Sequence, residues 1–230
     1  MRKSSIITAV LVVIALVIAL QYFLDDDGNP SITPTPTPTN GMKKGFGLSP
    51  YDYSSEGFND FLAKTKLSGG VITWSGDWTQ LSDKKSGPSV VARLAKSQGL
   101  ESIIIAQFFT QFTRQPIRTL NESTLKSYKD SAVNFTRANK PRYIGFGIEV
   151  NVISSSPDYL KFKAFFSELK TAIKAVSAET KVFTVFQLEM MKGLNGGLFG
   201  GVNDPMNAQW YLINDFQMDC VAFTTYPCLV

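Results

Sequence analysis

The sequence predicts an α/β fold: an incomplete (β/α)8 (TIM) barrel of six strands and five helices, behind an N-terminal transmembrane helix. Three observations carry that expectation. From Lys43 onward, apolar runs of strand length alternate with segments of helical periodicity, and no hairpin signal separates them. Strict alternation implies a parallel sheet with helices outside. Polar and aromatic residues then gather after several successive strands, as at the C-terminal face of a barrel. No Gly-x-Gly-x-x-Gly loop follows the first strand, which removes the main signature of a doubly wound nucleotide fold.

Taken in order, residues 1–24 read as a membrane anchor. Arg2 and Lys3 precede an apolar run from Ile6 to Leu24, and no charge appears until Asp25. A helix over that run is about 28 Å long at ~1.5 Å per residue, the thickness of a bilayer core. The run is longer than a signal-peptide core, and Val17-Ile18-Ala19 is a poor cleavage site, so an uncleaved anchor is favoured. Basic residues before it and Asp25–Asp27 after it place the N-terminus in the cytoplasm and the rest of this single-pass chain outside the cell membrane. Residues 25–42 form a linker in which Thr33–Thr39 alternates threonine with proline. Proline fixes φ and lacks an N–H, so the stretch is an extended, semi-rigid stalk.

The partial barrel occupies 43–230. Lys44–Ser49 is a short strand stopped by Pro50, and Ser55–Leu67 is a helix with Ser54 or Ser55 as its cap. Gly70–Trp74 is the second strand, and Pro88–Gln98 is a helix stopped by Gly99. Ser102–Phe109 is the third and most apolar strand. Glu122–Asn139 is a helix ended by Pro141, and Tyr143 opens the fourth strand, which ends at Glu149. Pro157–Ser177 is a helix and Lys181–Glu189 the fifth strand. Asp204–Phe216 is the fifth helix, with Asp204-Pro205 as cap and first turn, and Asp219–Pro227 is the sixth strand. The chain reaches Val230 without a seventh strand, so a barrel truncated after six is expected.

Composition narrows the chemistry. The net charge is +4 with its basic residues dispersed, and no arginine-rich stripe points to nucleic acid. Histidine is absent, which excludes Ser-His-Asp catalysis and histidine zinc sites. Acid–base work falls to Glu, Asp, Lys, Tyr or Cys. Two cysteines, Cys220 and Cys228, read as free thiols, and no metal or other cofactor is called for.

Tyr143–Asn151 is the centre of the functional reading: a buried strand that delivers a carboxylate, Glu149, and an amide, Asn151, to its rim. Burying a carboxylate is costly without a partner or a task. Glu189 stands the same distance past the apolar run of the next strand. Strands ~4.8 Å apart would bring the pair near the ~5–5.5 Å separation of a retaining glycosidase, whose acid protonates the leaving oxygen while a second carboxylate attacks. The alternative is that Glu189 orders the neighbouring loop. Trp74, Asp77, Trp78, Gln187 and Tyr226 complete the expected substrate-binding set, the aromatic rings stacking on sugars or, equally, packing in the core.

These strand ends resemble those of the retaining (β/α)8 glycoside hydrolase clan, above all the endo-galactanase-like enzymes and their archaeal relatives. Gly147-Ile148-Glu149-Val150-Asn151 corresponds to a fourth-strand Asn-Glu ending, with Ile148 where the clan has Asn; Thr225-Tyr226-Pro227 and Gly45–Pro50 add to the likeness. The resemblance implies Glu149 as general acid/base, Glu189 as a possible second carboxylate, and a carbohydrate substrate. The clan's nucleophile lies on the seventh strand. A non-catalytic carbohydrate-binding or surface protein, or a truncated remnant of such an enzyme, is the other reading of the same residues.

Overall fold

The computed structural model describes residues 42–52, 54–194 and 204–226. The expected anchor, most of the Thr/Pro linker and Cys228 lie outside them. No helix among the described residues is long and apolar enough to cross a membrane. Two compact units are distinguished: residues 42 and 50–61 in one, Lys43–Ser49 and the chain from Leu62 in the other.

In the smaller unit, helix α1 (Ser55–Ser68) begins. Ser54 is its cap: its hydroxyl oxygen accepts from the Gly57 N–H at 3.0 Å, and Asp52 in turn accepts from the Ser54 N–H at 2.8 Å.

The larger unit is an α/β layer structure on a parallel sheet. Strands β1 (Gly45–Gly47), β2 (Val71–Asp77), β3 (Glu101–Gln107), β4 (Tyr143–Phe146) and β5 (Lys181–Phe183) pair side by side in chain order, every pair parallel. Strands β6 (Val185–Gln187) and β7 (Ala222–Thr224) form a second parallel pair. A doubly wound sheet reverses its strand order at a switch point; this sequential order has none.

β5 and β6 are the expected fifth strand broken at Thr184, whose hydroxyl donates to the Phe146 carbonyl at 2.7 Å. The side chain takes a carbonyl that a ladder N–H would otherwise satisfy.

Strand alternation sorts the residues by face. Ile72, Trp74, Ile104, Ala106, Ile144, Phe146 and Val182 share one face by register and are all buried. Helices α2 (Gly87–Gln98), α3 (Glu122–Asn139) and α4 (Pro157–Val176) cover that face. A Cβ built on Gly87 of α2 would lie 2.3 Å from the Trp74 indole nitrogen, so only glycine lets that helix approach. From α3, Tyr128 meets Phe146 edge-on at 5.8 Å. From α4, Tyr159, Phe162, Phe165, Phe166, Leu169 and Ile173 recur at helical spacing and are buried, each contributing about 1.5–3 kcal/mol relative to exposure. On the opposite face Thr73, Ser75, Ile103, Ile105 and Tyr143 are half-buried or open, while Val71 and Phe183 are buried.

Several expectations are corrected. The fourth strand stops at Phe146, three residues before Glu149, and of the described part of the expected Asp219–Pro227 strand only Ala222–Thr224 is paired. Asp204–Phe216 is not an α-helix but two 3-10 segments, Pro205–Asn207 and Trp210–Asp215. Its backbone is claimed by other elements: the Asp204 N–H donates to Gly193 at 2.8 Å and the Gln209 N–H to Met191 at 3.1 Å. The fifth strand stops at Gln187, and Glu189 lies in the first turn of a short helix, α5 (Leu188–Met191).

Candidate functional site

Glu149 reaches its place through a tight turn after β4. Gly147 has φ +78°, and a Cβ there would sit 2.6 Å from Val150 and 2.9 Å from Phe108. Glu149 itself has φ 59°, ψ 42°, a left-handed conformation rare for a residue with a side chain. Such strain, about 1–3 kcal/mol, collects at functional sites. The turn buries Glu149, which is 4% exposed.

The end of β7 grips that carboxylate. Residues 224 and 226 lie on one side of an extended chain and 225 on the other. Accordingly, the Thr224 hydroxyl donates to Glu149 Oε1 at 2.7 Å and the Tyr226 hydroxyl donates to the same oxygen at 2.5 Å. Thr225 and the Tyr226 N–H instead each donate to Glu189 Oε1, both at 2.8 Å. One tyrosine thus joins two buried carboxylates, by its phenol to one and its backbone to the other. Burial, the hydrogen bond to Glu149 and that residue's charge push the Tyr226 phenol up to about 12. Burial also raises Glu189, but the Tyr226 N–H, its own backbone N–H, the Thr225 hydroxyl and nearby Lys192 outweigh it and hold the carboxyl below its usual range.

The other expected residues divide. Asn151 is fully buried, and its amide works as a strand edge: Oδ1 accepts from the Gln187 N–H at 2.8 Å, while Nδ2 donates to the Gln187 carbonyl at 3.2 Å and to Gln209 Oε1 at 3.0 Å. Asn151 and Gln187 therefore lock the turn carrying Glu149 onto the end of β6, and the amide has no N–H left to offer a substrate. Gln187 is in register with Thr224, which places it beside the carboxylate pair.

Trp74, Asp77 and Trp78 are engaged with other partners. Trp74 lies on the helix-facing side against Gly76 and Gly87. Trp78 is buried and stacked on Tyr128, ring centroids 4.9 Å apart. Asp77 caps the 3-10 turn Trp78–Ser82 through the Thr79 N–H at 3.0 Å and pairs with Arg118 at 2.8 Å. Among the described residues no group of three or more metal-ligating side chains occurs.

Sequence reasoning missed Thr224 as a donor and Gly147 as the turn that aims Glu149. The i, i+2 spacing of Thr224 and Tyr226 was the available signal for the first.

No family model and no curated protein matches the chain. Among solved structures it is similar to an L-ribulose 3-epimerase, with 13% identity and a TM-score of 0.45 over 80% of this chain and 60% of that one. It is also similar to an endo-1,4-beta-mannanase from Eisenia fetida, with 10% identity and a TM-score of 0.40 over 61% of this chain and 52% of that one. The chain thus spans less than two thirds of the length of either.

Proposed function

We propose that the chain carries a carbohydrate-active site of glycoside-hydrolase type on a parallel sheet of (β/α)8-barrel type, with Glu149 as general acid/base. The observation that carries this reading is a pair of buried carboxylates, Glu149 in the turn after β4 and Glu189 on α5 after β6, joined through Tyr226. Glycoside cleavage needs a positioned carboxyl group to protonate the leaving oxygen. In Glu149, Oε1 is held by two hydroxyls and, among the described residues, Oε2 makes no hydrogen bond. Oε2 is the oxygen available to a glycosidic bond. Glu189 is the second carboxylate of the same end.

The test is hydrolysis of natural glycans and of nitrophenyl glycosides by the wild type and by Glu149→Gln, which keeps the shape and removes the acid. Loss of ~10²–10⁴-fold is expected on glycans. A smaller loss is expected on nitrophenyl sugars, whose leaving group needs little protonation. Equal loss on both substrates would overturn the assignment.

A non-catalytic carbohydrate-binding protein is the second reading, favoured by the way Glu189 Oε1 is already committed to the β7 backbone. Glycans bound without release of reducing ends would select it.

A further inference from the structure

We infer that Glu189 is a positioning residue: it clasps the β7 terminus and thereby sets the Tyr226 phenol on Glu149. The inference rests on Glu149 being the reactive carboxylate, as proposed above.

Three observations lead to it. Glu189 Oε1 accepts two donors from consecutive residues, the Thr225 hydroxyl and the Tyr226 N–H. Those bonds fix the Tyr226 backbone at the point from which its side chain reaches Glu149 Oε1. Second, Glu189 Oε2 is buried and, among the described residues, has no hydrogen-bond partner. An oxygen sealed from solvent has no path to an anomeric carbon, and a buried unsatisfied oxygen calls for an explanation. Here Oε2 is the cost of placing Oε1 on the strand end. Third, β7 is only three residues long and pairs only with β6 in the described structure. A short strand with one neighbour has little else to hold its end in register. Glu189 comes from α5, directly after β6, and replaces a ladder that stops at Gln187–Thr224.

A positioning role and a catalytic one separate on substitution. Glu189→Gln keeps an oxygen that accepts both donors and loses the charge. Glu189→Ala loses the acceptor as well. The experiment is NMR of protein carrying 13C at tyrosine Cζ, with the Tyr226 signal identified by its loss in Tyr226→Phe. Glu149→Ala defines the Cζ shift of a phenol without its acceptor. Glu189→Ala is expected to move the Tyr226 signal more than half of the way to that value, and Glu189→Gln to leave it at the wild-type position. If Glu189→Ala does not fold, Glu189→Asp, one methylene shorter, should move the signal in the same direction. An unmoved signal in both Glu189→Ala and Glu189→Asp overturns the inference, as does a Glu189→Gln shift equal to that of Glu189→Ala. The NMR readout uses no substrate, so a failure of the clasp is distinguishable from a failure of hydrolysis.

Discussion

At the scale of single residues, the site depends on a backbone that only some side chains tolerate. Gly147 adopts φ +78° between Val150 and Phe108, so glycine alone fits without strain or clash. Gly147→Ala is expected to destabilise the fold by about 1–3 kcal/mol and to displace Glu149, seen as a lower urea midpoint and as movement of the Tyr226 ring signal. Glu149 is different: it holds the left-handed conformation despite its Cβ. Glycine there would relieve the backbone, so the carboxylate is kept at a conformational cost. Asn151 shows the reverse. It looked like a substrate ligand because it is polar and close to Glu149 in the chain. The fold spends its amide on the Gln187 backbone instead.

At the scale of elements, the end of the sheet opposite the site is held by charge. Before β7, Asp219 accepts from the Val182 N–H at 2.8 Å and pairs with Lys174 at 2.7 Å and Lys170 at 3.0 Å, both on α4. Burial raises its carboxyl, but Lys174, the Val182 N–H and Lys170 together bring it down to about 2. Because the folded value lies below the unfolded one of ~3.9, the stabilisation is complete above that pH. It fades as pH falls from there through about 2. Asp219→Asn should therefore destabilise by about 1–2 kcal/mol at neutral pH. The gap to wild type should close in denaturation curves taken in strong acid, and a pH-independent difference would refute the assignment. Helix α4 was legible because its apolar residues recur every three or four positions. The 204–216 segment carried the same kind of pattern and a good cap, yet hydrogen bonds from Asp204 and Gln209 to other elements pull it into short 3-10 turns.

At the scale of the whole molecule, the apolar run Ile6–Leu24 and the charges around it lead us to propose one membrane span with the α/β unit outside the cell. Protease added to intact cells should then remove the α/β unit, and full protection in cells shown to be unbroken would refute the orientation. The sequence holds two Asn-x-Ser/Thr sequons for N-glycosylation of an external domain; Asn121-Glu122-Ser123 lies at the exposed start of α3, with Asn121 Oδ1 accepting from the Thr124 N–H at 2.9 Å. Asn134-Phe135-Thr136 is within α3, with Phe135 and Thr136 buried, and is a poor acceptor.

The alternation of strands and helices, and hence the parallel sheet, was written in the sequence, because apolar period and strand length are local properties. Glu149 was legible as a carboxylate just past an apolar run, but the strand ends at Phe146 and Glu149 sits in the left-handed turn that follows. Tertiary structure alone decided which face each aromatic takes. Trp74 lies one residue from the half-open side of its strand, yet it packs under α2, since neighbouring residues in a strand point to opposite faces. It also decided that Glu189 lies on a helix turn rather than a strand, gripping the backbone of Tyr226. That contact joins residues 37 apart in the chain, and no local pattern encodes which distant N–H a buried carboxylate will accept.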